Sequence, residues 1–274
     1  MTDQPETEIA LGPGASAYSF DAREFPWWLV GMLVIIGLFA AAITFTEDYR
    51  EAFEAILPLP ANFQQGLALT LYLTVGSFVV ATILGLFIGL ARLSRNTVVR
   101  NLAALYIEFI RGIPVIVFIF LIALVLVPDF ANLLNLETRA ISNALRASAA
   151  LSLFYAAFIA EVFRAGIQSV PKTQSEAGRS IGLTEGQITR RIVLPQAVRN
   201  MLPALGNDLI SLMKDTSLVS VLAVRELTQM ARLYAASSFR YREAYFVLAV
   251  LYVVLTLSLS LLLRWYERRI AIPT

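Results

Sequence analysis

The feature that most restricts this chain is its series of long apolar runs. Several exceed the ~18 residues a helix needs to cross the ~30 Å hydrocarbon core of a bilayer. The first, Trp27–Phe45, contains no charged residue. Others cover residues 65–90, 102–127, 141–163, 202–224 and 243–263. In lipid the backbone must satisfy its own N–H and C=O groups, and a helix does so within one segment. The sequence therefore predicts an all-α integral membrane protein with about six transmembrane helices. Of the 274 residues 58% are hydrophobic and 15% charged, against ~45–50% and ~25% in soluble domains. A soluble globular enzyme is excluded.

The available side chains narrow the chemistry further. Cys and His are both absent. That removes disulfides, thiol nucleophiles, zinc sites, an axial haem histidine and Ser–His hydrolysis. A net charge of +2 gives no case for a nucleic-acid partner.

Residues 1–26 read as a flexible acidic tail, with Asp3, Glu6, Glu8, Asp21 and Glu24 against Arg23 alone. The run after it lacks the basic flank of a signal peptide, so it reads as a retained first span. Residues 27–61 form that extra span and an acidic external connection. The rest, 62–270, holds the remaining five spans. Gly85 and Gly89 have the spacing that allows close helix approach, and Pro114 predicts a kink in the third span. Arg clusters at 92–100, 164–199 and 264–269 fall on one side of a six-span topology. By the positive-inside bias both termini are cytoplasmic. Residues 225–242 dissent, with four Arg against Glu226.

The polar segment 165–200 predicts a compact two-helix knob. Thr173 with Glu176, and Thr184 with Gln187, have capping-box spacing. Gly182 suits the left-handed position that ends the first helix. Gly166-x4-Pro171-Lys172-Thr173 misses a phosphate-binding loop by one residue, because Pro171 has no N–H to offer a phosphate. Nucleotide binding on this chain is not expected.

Glu176-Ala177-Gly178, Gly182 and Ile192-Val193-Leu194-Pro195 together resemble the EAA loop of ABC-importer membrane subunits, whose pattern is E-A-A-x3-G-x9-I-x-L-P. Gly178 departs from it, standing where Ala is usual. Three further motifs resemble the polar amino-acid permease branch of that family. They are Pro195-Gln196-Ala197-x-Arg199, Lys214-Asp215-Thr216-Ser217-Leu218 and Arg111-Gly112-x-Pro114. The resemblance covers 62–270 and implies a five-helix MetI-like core, with 27–45 as an added helix. It also implies import of amino acids across the bacterial cytoplasmic membrane, a cytoplasmic ATPase dimer docked on the loop, a second permease subunit and an extracytoplasmic amino-acid-binding protein. ATP and Mg belong to the ATPase, and no cofactor to this chain. Glu176 would meet a basic rim of the ATPase cleft, with Ala177 and Gly182 allowing close packing.

Ionisable groups inside spans need a reason. In the fifth span Asn207, Ser211, Lys214 and Ser217 follow one helical face, and Asp208, Ser211 and Asp215 an adjacent one. Lys214 falls near the middle of 202–224. The stripe either lines a substrate path, with Thr216 and Ser217 supplying hydroxyls, or pairs with neighbouring helices for structure. As path residues, Lys214 would meet an amino acid's carboxylate and Asp215 its ammonium group. In the third span Glu108 and Arg111 are spaced to pair on one face, or Arg111 snorkels. Arg111 is also a candidate for drawing the carboxylate inward. Glu161 and Arg164 read as a structural pair. A competing function is an ion-coupled transporter or channel using Lys214 and Asp215, but the chain shows no internal repeat of the kind such proteins carry.

Overall fold

The computed structural model describes residues 27–57, 66–138 and 141–270, and all regular elements among them are helical. The acidic tail 1–26 lies outside the described residues. Among the described residues four helices are long and apolar enough to span a bilayer: α3 (Leu67–Arg92), the segment Val115–Leu133, α7 (Asn143–Gln168), and the Tyr241–Glu267 part of α12 (Tyr241–Ile270). The count is five if α1 (Trp27–Phe45) and α2 (Glu47–Ile56), bent by 101°, form one span. Apolar composition alone passes over α10 (Leu194–Asp215), the fifth predicted span, because it carries Arg199, Asp208, Lys214 and Asp215; it still runs antiparallel beside α7, from the Asn200–Ser169 hydrogen bond to the Tyr155–Asp215 one.

Two expected spans are also redrawn. The third is broken, not kinked. α4 (Thr97–Arg111) stops at Gly112, and Pro114 caps α5 (Val115–Phe120), which continues through a π-turn, Leu121–Leu126, into α6 (Val127–Leu133). Pro114 has no N–H for the helical ladder, so the chain restarts there. The fifth begins earlier and ends earlier than expected. α10 covers Leu194–Asp215, and a 3-10 turn, Thr216–Leu222, follows until Ala223 adopts a left-handed conformation at φ 56°. Lys214 therefore stands at the end of the α-helix, not its middle.

The main packing interface joins α3 to α7. A Cβ on Gly85 would lie 2.7 Å from Ile159 Cγ2, and one on Gly89 would lie 2.8 Å from the Ala160 carbonyl oxygen. The small-residue pair thus brings two backbones together, as its spacing predicts. Ser77 adds a hydroxyl contact to Ser148 at 3.0 Å. Earlier on the same buried stripe of α3, Thr70 and Thr74 return their hydroxyls to carbonyls one turn back, so they bury no free donor.

A second core sits at the end of the bundle away from the 165–200 loop. The expected acidic connection is here the helix α2. Its apolar positions Tyr49, Ala52, Phe53 and Ile56 recur at helical spacing and pack on α11 (Leu227–Ser238) and α12. Ala52, Ile56, Leu227, Ala231, Ala235, Ala244 and Val247 are all fully buried. Arg240, between α11 and α12, pairs with Asp48 at 3.1 Å and with Glu51. These pairs are solvent-exposed and screened, so they add little; the apolar seam carries the attachment. Glu226 caps α11, accepting 2.8 Å bonds from the Thr228 and Gln229 N–H groups and a 3.0 Å bond from the Tyr252 hydroxyl.

The glycine seam is open to test. Gly89→Ala should cost about 1–3 kcal/mol, because a backbone carbonyl cannot step aside as a side-chain tip can. Gly76 is the control, since a Cβ added there would meet nothing within 4 Å. Thermal unfolding in detergent should show a drop of several degrees for Gly89→Ala and none for Gly76→Ala.

Candidate functional site

The knob is built from α8 (Lys172–Ser180), a glycine turn and α9 (Glu185–Ile188). α8 begins one residue before the expected cap. Pro171 occupies the capping position without a side-chain bond, so the Thr173–Glu176 capping box does not form. Thr173 is already inside the first turn, where its hydroxyl cannot reach a free N–H. The end of α8 follows expectation. Gly182 has φ +81°, its N–H donates to Arg179 O at 2.9 Å, and the Leu183 N–H donates to Gly178 O at 3.0 Å. This paired closure is the Schellman arrangement. No atom lies within 4 Å of a Cβ on Gly182, so within the subunit glycine serves the backbone conformation and not close packing.

Gly178 is where space is short. A Cβ there would meet Ile192 Cδ1 at 2.9 Å and Ile188 Cγ1 at 3.0 Å. The departure from Ala lets α8 press onto the following helix. The second capping box forms as predicted, with the Thr184 N–H donating to Gln187 Oε1 at 3.0 Å and the Gln187 N–H to Thr184 Oγ1 at 3.4 Å. Sequence reasoning missed a clamp across the turn: Arg179 donates to both Glu185 oxygens, at 2.6 and 3.2 Å. That hydrogen bond, with the Arg179 charge, holds the Glu185 carboxyl below its ordinary range. The clamp is present at neutral pH and is lost as pH falls through that lowered value. Glu176, Ala177, Gly182, Leu194 and Pro195 are exposed, Ile192 is half-buried, and Ile181 at the tip is 76% exposed.

From the knob the chain runs as one helical rod. α9 passes through a π-turn, Thr189–Val193, directly into α10. The wider turn accommodates Pro195, which cannot donate to the ladder. Residues 185–215 thus form a helical run about 45 Å along its axis at ~1.5 Å per residue, with Pro203 inside α10 removing one further ladder bond.

At its far end the expected polar stripe splits. Tyr155 of α7 donates a 2.7 Å hydrogen bond to Asp215 Oδ2. Lys214, one residue earlier, is exposed. Adjacent side chains on a helix diverge by ~100°, so the two charges face different surroundings. Thr216 is buried and returns its hydroxyl to Met213 O at 2.7 Å. Ser211 and Ser217 are half-buried, and Asn207 is exposed. Asp208 Oδ2 is buried with no hydrogen-bond partner. Tyr155 was not legible from the sequence: a single tyrosine in an apolar helix gives no signal of its partner.

Glu108 and Arg111 lie on α4, outside the apolar span, and both are exposed. No ion pair joins them among the described residues; Arg111 instead stands 5.7 Å over the Phe158 ring. Glu161 and Arg164 do pair, at 2.7 Å. Arg111 and Glu161 meet at a cavity of about 490 Å³ beside Ser169, Asn200 and Ala204, where α4, α7 and α10 converge near the knob.

The same fold recurs in known proteins. Residues 81–272 match the family described as "Binding-protein-dependent transport system inner membrane component". The probable amino-acid permease protein YxeN of Bacillus subtilis is 40% identical over 212 residues, covering 76% of this chain and 91% of the relative. The glutamine transport system permease protein GlnP of Escherichia coli is 35% identical over 218 residues, covering 80% and 97%. A crystal structure of an amino acid ABC transporter with histidines matches with a TM-score of 0.67 and 34% identity, covering 84% of this chain and 98% of that one. The relatives are transport subunits and not enzymes. The chain belongs to the family of binding-protein-dependent transport system inner membrane components, and is a multi-pass permease subunit of the ABC-importer type.

Proposed function

We propose that this subunit forms half of a path for polar amino acids and that its 173–194 knob receives a separate cytoplasmic ATPase dimer, which holds the ATP and Mg. The loop end of the bundle is then cytoplasmic, with both termini. The names of the relatives support amino acids as cargo, and the family description supports a binding protein that delivers them from outside. A second permease subunit completes the path, because exposed Asn207 and Lys214 on a bundle helix cannot face lipid cheaply.

The observation that carries this reading is the helical run from Glu185 to Asp215, which continues through the π-turn and past Pro203 without a loop. Closure of the ATPase dimer displaces the knob, and a continuous helix transmits that displacement to the polar stripe. Ile181, Ala177 and Gly182 give the knob a small apolar tip, flanked by Glu176 for a basic partner rim. At the other end Lys214 meets the substrate carboxylate. Asp215, oriented by Tyr155, attracts the ammonium group through its remaining acceptor capacity. Thr216 and Ser217 sit in the turn beside them, and Ser211 and Asn207 continue the stripe towards the cytoplasm. Glu108 and Arg111 flank the path from α4, Arg111 as a relay for the carboxylate.

Three outcomes are expected. Gly182→Val places a β-branched residue in the left-handed region, at roughly 1–2 kcal/mol; combined with Glu176→Lys it should abolish ATPase co-purification and uptake while the chain still inserts. Normal ATPase binding and uptake by that double variant would refute the docking role. Lys214→Met and Asp215→Asn should each weaken uptake and substrate-stimulated ATP hydrolysis by about 10–100-fold, as expected for losing a hydrogen bond to a charge, with Tyr155→Phe intermediate and Ser217→Ala mildest. Wild-type kinetics in both charge variants would make the stripe packing alone. A reporter fused after Thr274 should be inaccessible from outside the cell; labelling by an impermeant reagent would reverse the orientation.

A further inference from the structure

We infer that this subunit's cargo is a cationic amino acid, and that Asp208 selects it by receiving the positive group at the end of the cargo's side chain. The inference rests on the permease reading above and narrows the substrate class at the same stripe of α10.

The stripe carries an unbalanced charge. Lys214 and Asp215 meet the two charges of a zwitterionic head group and cancel, as Glu108 and Arg111 cancel on α4. Asp208 is left over. It makes no ion pair or hydrogen bond among the described residues, and its Oδ2 is wholly buried. Asp215, by contrast, accepts the Tyr155 hydroxyl at 2.7 Å. Asp208 stands close enough to that same phenol for their charges to couple, so the two acids share the side of α10 that meets α7. A carboxyl buried without a donor is costly and asks for an explanation. A positive group carried by the cargo supplies the donor and the charge together.

Helix geometry sets the length of the cargo. Asp208 and Asp215 both lie in α10 beyond Pro203, offset by only ~20° around the axis and ~10.5 Å along it. Half-buried Ser211 stands between them, and exposed Lys214 is ~120° round from Asp208. A head group held by Lys214 and Asp215 therefore sends its side chain over Ser211 towards Asp208. The two amino nitrogens of an extended lysine are about 7 Å apart across six bonds. A hydrogen bond of ~2.8 Å at each end extends the reach to ~12–13 Å, enough to bridge both acids. Arginine and ornithine reach as well. Diaminopropionate, with ~4 Å between its nitrogens, falls short. Glutamine offers Asp208 an amide donor but no charge. Glutamate, or the second carboxylate of cystine, is repelled.

The test measures equilibrium binding of labelled amino acids to the complete permease–ATPase complex in nanodiscs. The binding protein is left out, so that its own selectivity does not enter. Lysine, arginine and ornithine should each bind at least tenfold more tightly than glutamine, and diaminopropionate at least tenfold more weakly than lysine. Asp208→Asn should cut the ratio of lysine to glutamine affinity at least tenfold. Asp208→Glu, one methylene longer, should keep the preference for cations and move its optimum to a shorter side chain, with diaminobutyrate gaining at least threefold on lysine. A purely structural Asp208 would lower all affinities together and leave these ratios fixed, which overturns the assignment. ATP-driven uptake by the same complex with its binding protein, in proteoliposomes, separates the two possible failures. Uptake of any amino acid, with no cation preference in binding or no saturable lysine binding, overturns the cationic cargo and leaves the permease reading standing. Absence of ATP-driven uptake for every amino acid overturns both. The wild-type ranking needs no variant, so it decides the cargo even if Asp208→Asn fails to fold.

Discussion

Everything in this subunit hangs from the contact between α3 and α7. Without Cβ atoms at Gly85 and Gly89, the α3 backbone reaches the carbonyls of Ala156 and Ala160. Lipid tails are as apolar as leucine, so burial alone gives membrane helices little reason to associate; close packing must supply it. Once α7 is fixed this way, its remaining faces become reference surfaces. Tyr155 presents a hydroxyl to α10, Phe158 underlies Arg111, and Glu161 gathers Arg164 beside the cavity. The knob then follows directly from the end of α7.

The helix count and the local breaks were legible to different degrees for a physical reason. Apolar runs mark burial in lipid, and composition reports that directly. α3, α7 and α12 accordingly fall close to their expected positions. A run does not report where the hydrogen-bond ladder stops. Residues 102–127 look continuous by hydropathy, yet Gly112 and Pro114 interrupt them, and the apolar span lies wholly after the break. α10 shows the opposite failure. Its charges hide it from a reading by apolar runs, while helix continues from the knob past Pro195 and Pro203, each of which removes one bond from the ladder.

At the candidate site, backbone requirements were readable and side-chain partnerships were not. Gly182 and the Thr184–Gln187 box follow from rules that involve only neighbouring residues. The Thr173 cap failed because Pro171, two residues earlier, already starts the helix. Tyr155–Asp215 and Arg179–Glu185 depend on how segments fold back on one another, which spacing along the chain does not encode. Lys214 and Asp215 were recognisable as a pair needing explanation, but only the packing of α7 shows which one is anchored and which is presented.

The helix pair α1–α2 precedes the residues matched by the family, yet it is not a detachable leader. Ala52 and Ile56 cover Leu227, Ala231, Ala235 and Val247, all without solvent exposure. Cutting the chain back to the family core would strip one wall from this seam and leave small apolar side chains with no complementary surface. Alanine-rich faces are poor at attracting lipid tails, because they offer little area and many backbone-depth grooves. The chain has in effect moved part of its outer boundary inward, and a shortened version would need larger residues on α11 and α12 to serve as its new exterior.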